Sequence, residues 1–277
     1  MSVNDDSVRV FDAVHIDAGE PSSREEQVAH EEPLEIQVNG APLAVLMRTP
    51  GHDEELGLGF LISERIVRGP ADIFSLRHCT TVPDSEADDN VLQVRLVPPE
   101  AGGVLFDLEK LRRHTFASSS CGVCGKATIA NACATAPPLT EGVVIAASVV
   151  TQLPARLRAA QVAFAVTGGL HAVGAFDVHG GLVVVREDIG RHNAFDKVIG
   201  FLAQRSLAPA QHVLLVSGRV SYEIVQKAAA ARIPVVAGIS APSSLAIRMA
   251  RALNITLIGF LRGASMNVYA GAERVRC

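Results

Sequence analysis

The stretch HVLLVSGRVSYEIVQKAAAARIPVVAGISAPSSLAIRMARALNITLIGFLR, residues 212–262, decides the fold. Its apolar runs at 212–217, 234–239 and 255–260 read as strands, and the segments 221–231 and 243–253 between them read as helices. Strands that alternate with helices in this way build a parallel or mixed sheet covered by helices. The same texture begins after Pro137 and Pro138, with strands near 171–178 and 182–187 around His179-Gly180-Gly181 and a helix near 191–205. No internal repeat underlies the order.

Toward the N-terminus the texture changes. The first 30 or so residues are rich in Asp, Glu and Ser and lack a sustained apolar period, which predicts a loosely held tail with a short strand near Val8 to Val14. From Leu34 the alternation Leu34, Ile36, Val38 breaks at Asn39-Gly40 and resumes through Leu43, Val45 and Met47, a strong two-residue hairpin signal. Residues 52–68 place Leu56, Phe60 and Leu61 on one helical face, with Asp53, Glu54 and Glu55 in the first turn, where the helix dipole favours negative charge. Two further strands are predicted near 73–82 and 90–97, flanking an acidic turn. The segment 117–125, ASSSCGVCG, is dominated by Ser and Gly and predicts an exposed, mobile loop. The expected architecture is α/β: a polar tail over 1–30, a smaller α+β part over 31–138 that includes this loop, and a C-terminal α/β domain over 139–277.

Composition narrows the function. A chain of 277 residues can form one large domain or two ordinary ones, and 48% hydrophobic against 19% charged residues excludes extensive disorder. With 10 Phe, 2 Tyr and no Trp, the chain lacks the rings on which single-stranded nucleic acid stacks. The net charge is -4 and no long basic run offers a phosphate-neutralising stripe, so a polynucleotide partner is not expected. No apolar run approaches the roughly 18 to 20 residues needed to cross a bilayer, and the opening MSVNDDSVRV lacks the order of a secretory signal. A soluble, cytoplasmic protein without a membrane partner is expected. The five cysteines, Cys79, Cys121, Cys124, Cys133 and Cys277, are odd in number and unevenly spaced, which favours reduced thiols over structural disulfides.

In an open α/β sheet, ligands collect beyond the carboxyl ends of the strands, where helix N-termini present free N–H groups to anions. The predicted strand exits carry Glu187 to Asn193, then Ser217-Gly218-Arg219, then Ser240 to Ser244, and finally Phe260 to Ser265. If the strands run parallel, Arg191, Arg219 and Arg262 face one crevice, where guanidinium forks suit the phosphate oxygens of a nucleotide. For any one loop, Gly and Ser as turn formers and Arg as a solvated charge is an adequate explanation. Four successive loops of one type are harder to dismiss, although GxGxxG and GxxxxGK[ST] are both absent.

The sharpest local feature is Cys121-Gly122-Val123-Cys124. Two thiols at this spacing can share a proton, a metal or sulfur in an oxidised form. Zinc needs about four ligands, and only Cys133 and His114 lie nearby, so no metal site is predicted. A zinc deaminase requires HxE before PCxxC, whereas Ser120 precedes Cys121 and His171-Ala172-Val173 holds no glutamate. A thioredoxin-like pair follows a buried strand, but Ser118, Ser119 and Ser120 precede this one. Sulfur transfer through a persulfide suits an exposed loop, with Lys126, Arg112, Arg113 and His114 available to favour a thiolate. Cys79 and Cys133 read as small core residues and Cys277 as a frayed terminus.

Five motifs in order, SSSCGVCG, TGGLHAV (167–173), EDIGRHNAFDKVIG (187–200), SGRVSYEIVQKA (217–228) and GFLRGASMNVY (259–269), resemble the formate dehydrogenase accessory sulfurtransferases, the FdhD family. The resemblance runs from about Pro33 to Tyr269. It implies a cytoplasmic homodimer that accepts sulfur from a cysteine desulfurase as a persulfide. The resemblance also implies that the sulfur passes to the molybdenum cofactor of formate dehydrogenase, a bis(molybdopterin guanine dinucleotide), with GDP expected as a partial mimic. It further implies a C-terminal domain similar to cytidine deaminases. Cys121 maps to the persulfide carrier with Cys124 assisting, and the guanine dinucleotide contact maps to Phe260, Leu261, Arg262, Gly263, Ala264 and Ser265. The strand-exit residues Arg191, His192, Asn193, Ser217, Gly218, Arg219 and Ser240 complete the expected cofactor crevice. The competing expectations are an insertion chaperone that binds the finished cofactor without using the thiols, and a nucleotide-modifying enzyme of deaminase type.

Overall fold

A computed structural model, which describes residues 5–79, 90–105, 136–140 and 142–277, starts with an antiparallel hairpin of β1 (Val8–Asp17) and β2 (Glu20–Ala29). The loosely held tail expected here is corrected: pairing runs from Val8 opposite Ala29 to Asp17 opposite Glu20, well past the short strand near Val8 to Val14. The turn explains it. Ala18 and Gly19 take φ of 50° and 95°, the pair of positive values that closes a two-residue hairpin loop.

The next hairpin follows the sequence reading, with β3 (Glu32–Val38) and β4 (Ala41–Arg48) joined through Asn39 and Gly40 at φ 51° and 82°. Helix α1 (Asp53–Ser63) comes next, and β5 (Ile73–His78) and β6 (Val91–Leu96) complete a four-stranded sheet in the order β4-β3-β6-β5. The helix stops short of Arg68 because Arg65 turns left-handed at φ 62°, and Ile66 and Arg65 donate their N–H groups to the Leu61 and Ile62 carbonyls at 2.8 and 2.9 Å. This is a Schellman stop with Arg in the position that Gly usually fills.

The C-terminal elements are β7 (Ile145–Ala146), α2 (Ala147–Val150), α3 (Leu153–Ala160), α4 (Val162–Thr167), β8 (His171–Phe176), β9 (Leu182–Asp188), α5 (Arg191–Gln204) and β10 (Val213–Val216). They continue with α6 (Tyr222–Ala230), β11 (Val235–Gly238), α7 (Ser244–Ala252), β12 (Thr256–Arg262), β13 (Ser265–Ala270) and β14 (Val275–Arg276), the last pairing in parallel with β7. The main sheet has the order β13-β12-β11-β10-β8-β9. β10, β11 and β12 are parallel, and β9 shares their direction because β8 opposes both β9 and β10. The fold is therefore mixed α/β.

Period-two alternation splits the strand side chains between two apolar layers. Leu214, Val216, Val236 and Leu257 face a core built with α1, α5, α6 and α7, while Val213, Leu215, Val235, Ala237 and Ile258 face a smaller one with Leu153 and Leu157 of α3. The larger core also takes in Leu34, Ile36, Val38 and Leu92 of the N-terminal sheet, so both parts of the chain share it. α1 and α5 meet backbone to backbone. A Cβ on Gly59 would overlap the Asp196 carbonyl, and one on Gly200 would overlap the Glu55 carbonyl. Ion pairs tie the same seam, with Arg186 donating to Glu55 at 2.6 and 2.8 Å and Lys227 to Asp196 at 2.7 Å.

Candidate functional site

The sheet directions bring the carboxyl ends of β9, β10, β11 and β12 to one edge, together with the start of β8. Past the sheet proper the exits stay in register. The Val220 N–H donates to the Ala241 carbonyl at 3.2 Å, that of Ser243 to Val220 at 3.0 Å, and that of Phe260 to Ser240 at 3.1 Å. Hydrogen-bonded loops of this kind hold their side chains as the strands do.

The first exit is built on a buried carboxylate. Asp188 is fully buried and accepts from Lys197 Nζ at 2.7 Å, Gly190 N at 2.8 Å, Asn193 Nδ2 at 3.0 Å and Thr49 N at 3.2 Å. Lys197 also donates to the Thr49 carbonyl at 2.8 Å, and Asn193 donates to that of Met47 at 2.7 Å. Asn193 is thus a tie between the N-terminal sheet and α5. The 49–52 loop that Asp188 holds leads to His52, left-handed at φ 60°, where burial and then the Arg186 charge push the imidazole below its usual range. A cavity of about 230 Å³ opens beside this loop, lined by Thr49, His52, Val162, Arg186, Glu187 and Lys197.

Arg191 and His192 begin α5 at the sheet edge. Arg191 Nε is buried with no hydrogen-bond partner among the described residues. His192 Nε2 lies 3.5 Å from both Ser221 Oγ and Glu223 Oε2, and Ser221 donates to the same Glu223 oxygen at 2.7 Å. Burial pushes the Glu223 carboxyl up, but hydrogen bonds from His192 and Ser221 and the charges of His192 and Arg191 outweigh it, so the carboxyl sits below its ordinary range. Glu223 Oε1 is also buried without a partner among the described residues. His171, the first residue of β8, completes the group. Burial first, then the charges of Arg191, His192 and Arg219 against that of Asp188, hold its imidazole below 6.5. The edge therefore combines guanidinium groups suited to phosphate oxygens with imidazoles and a carboxylate that can exchange a proton.

Ser217 spends its hydroxyl on the Ala172 N–H at 2.9 Å, and Gly218 lies against the His171 ring. Arg219 is exposed. At the last exit Phe260 takes φ 51° and is 41% exposed, at a break in the β12–β13 register between Gly259 and Arg262. A bulky residue in left-handed backbone is strained, and such strain collects at functional positions. Arg262, Gly263, Ala264 and Ser265 form the exposed turn beside it, with Arg262 Nε 3.4 Å from the Ile239 carbonyl. Leu261 points away into the smaller core. Cys121 and Cys124 lie outside the described residues, as do Arg112, Arg113, His114, Lys126 and Cys133.

Glu223 and Ser221 were missed in the sequence as site residues, although both lie in the quoted 217–228 segment. Their role depends on a histidine 29 residues upstream of Ser221, beyond the reach of local spacing.

The FdhD/NarQ family model matches residues 29–276. The chain is 47% identical over 268 residues to the sulfur carrier protein FdhD of Mycobacterium tuberculosis, covering 94% of this chain and 96% of that one. To the protein of the same name from Streptomyces coelicolor it is 47% identical over 267 residues, covering 95% and 93%. A solved structure, described as that of a formate dehydrogenase accessory protein from Desulfotalea psychrophila, superposes with a TM-score of 0.75 at 22% identity, covering 97% of this chain and 99% of that one. That likeness speaks for the fold, and the near full-length identity to the curated relatives speaks for descent: the chain belongs to the FdhD/NarQ family.

Proposed function

We propose that this protein is a sulfur carrier in the maturation of formate dehydrogenase. The observation that carries the reading is the 47% identity, over 94% of the chain, to a relative named sulfur carrier protein FdhD. In this reading Cys121 attacks the outer sulfur of a cysteine desulfurase persulfide. The S–S bond of the donor breaks, its thiolate leaves, and Cys121 becomes the persulfide. Cys124 assists. The S–S bond of that persulfide then breaks, Cys121 leaves as the thiolate, and the outer sulfur passes as sulfane sulfur to the molybdenum cofactor of formate dehydrogenase, which is cargo here and whose reduced metal would supply the two electrons that make it sulfide.

The bis(molybdopterin guanine dinucleotide) is held by its nucleotide ends along the sheet edge, within a homodimer. The buried Nε of Arg191, which has no hydrogen-bond partner among the described residues, and the exposed Arg219 and Arg262 supply charge for its pyrophosphates, and the Phe260 ring supplies a face for guanine. GDP is its partial mimic. The mixed sheet with helices on both faces supports a cytidine-deaminase-like reading of the C-terminal domain.

The test is mass spectrometry after incubation with a cysteine desulfurase and cysteine. The wild-type chain should gain the mass of one or more sulfur atoms, and Cys121→Ala should lose most of that loading. Equal loading of the variant would overturn the carrier role.

A further inference from the structure

The cavity of about 230 Å³ beside the 49–52 loop lies along the free edge of β9, the last strand of the main sheet. Strand alternation gives its two sides opposite chemistry. Val184 belongs to the larger core and Val185 to the smaller one, so Arg186 falls on the α1–α5 side, where it meets Glu55, and Glu187 falls on the α3–α4 side. On the first side the donors are not used up. Lys197 gives two of its three N–H groups to Asp188 and the Thr49 carbonyl, and Arg186 gives three of its five to Glu55 and the Val185 carbonyl. The His52 imidazole, neutral at pH 7, adds one N–H. On the other side Glu187 accepts the Ala163 and Phe164 N–H groups at 2.9 and 2.8 Å. Among the described residues it is the one carboxylate that lines the cavity, and it has no cation partner. The wall around it is apolar, with Ala160, Val162, Ala163, Leu170 and Val185.

We propose that this cavity binds a free α-amino acid with a small branched apolar side chain, its carboxylate on Lys197 and Arg186 and its ammonium on Glu187. Charge selects the class. Asp188 and Glu55 already neutralise the two cations, so a simple anion gains hydrogen bonds but no net attraction, whereas Glu187 lacks the countercharge that an ammonium brings. Size agrees. The cavity is smaller than the roughly 300–1,000 Å³ of pockets for drug-sized ligands and takes on the order of eight water-sized groups, the heavy-atom count of valine. The isopropyl group of valine then meets Val162, Leu170 and Val185. Lys197 also holds the Thr49 carbonyl, so the bound amino acid braces the loop that ties the N-terminal sheet to the first strand exit. Sulfur carriage does not depend on this site.

Titration calorimetry and thermal unfolding of the full chain test it with three probes: L-valine, L-valinamide, which lacks the carboxylate, and 3-methylbutanoate, which lacks the ammonium. Valine should bind at one site per chain, and each of the other two should bind about tenfold or more weakly. Glu187→Gln should weaken valine by a similar factor and leave 3-methylbutanoate unaffected. Val162→Phe should fill the cavity and abolish valine binding, with the folding of both variants checked by circular dichroism. Neither heat nor a thermal shift from millimolar valine overturns the proposal. So does an amide or a deaminated acid that binds as well as valine, unchanged valine affinity in Glu187→Gln, or valine binding that survives Val162→Phe in a folded chain. The three probes are compared on the unaltered chain, so the question is decided even where a variant fails to fold.

Discussion

Asp188 shows how one residue sets the geometry of an exit loop. Fully buried, it is balanced by Lys197 at 2.7 Å and by three N–H donors, one of them from Thr49 in the other half of the chain. At His171 nearby, burial and the surrounding cations favour the neutral form. The native chain therefore holds its proton less tightly than the unfolded chain, where histidine keeps its usual value of about 6.5. Between the two values the unfolded state binds more protons, so stability rises with pH through that window and falls as pH drops below about 6.5. Urea midpoints measured from about pH 7.5 down to about pH 5 should decline, and His171→Gln should flatten part of the decline. An unchanged slope in the variant would contradict this account of His171.

Helix ends at the element scale repeat one solution. α1, α5, α6 and α7 each stop at a left-handed residue that is not glycine: Arg65, Ser206, Arg232 and Asn254, at φ 62°, 52°, 61° and 56°. In each case the next residue, Ile66, Leu207, Ile233 or Ile255, donates back five positions at 2.8 to 2.9 Å. The apolar residue after the turn is drawn into the core and drives the stop, while the left-handed residue bears steric strain of about 1 kcal/mol. Arg232 is exposed, so Arg232→Gly should relieve that strain and raise unfolding free energy by up to about 1 kcal/mol in urea titration. A loss of stability would show that the arginine stem contributes more than its backbone costs.

The same ends explain what the sequence made legible. Strands and helices of residues 212–262 were readable because their periods are local, and the Asn39-Gly40 turn because its chemistry is specific. The overlong helix near 52–68 and the tail over 1–30 were misread because Arg65 and Ala18 occupy backbone shapes that their side chains do not announce. At the site, Arg191, His192, Arg219 and Arg262 could be picked out as polar residues at strand exits, and the sheet directions bring those exits to one edge. The Glu223–His192 pairing and the Asp188–Thr49 tie were invisible, the latter joining residues 139 positions apart.

For the whole molecule, the shared core is the decisive feature. Gly59 and Gly200 let α1 and α5 approach until their backbones touch, and Arg186–Glu55 and Lys227–Asp196 close the seam on either side. The N-terminal sheet and the strand-exit edge are thereby fixed to each other through Asp188 and the 49–52 loop. Under the function proposed above, this build would let a rigid edge hold a bulky nucleotide-bearing cargo while a thiol elsewhere on the chain delivers sulfur to it.

That central claim is tested most directly by following the sulfur. The chain is loaded with radiolabelled persulfide by a cysteine desulfurase, freed of donor, and mixed with formate dehydrogenase carrying its molybdenum cofactor, with and without excess GDP. Label should move from the carrier to the extracted cofactor, should fail to move when Cys121→Ala replaces the wild type, and should be held back by GDP occupying the sheet edge. Label that stays on the carrier, or that transfers equally well in the presence of saturating GDP, would contradict the account.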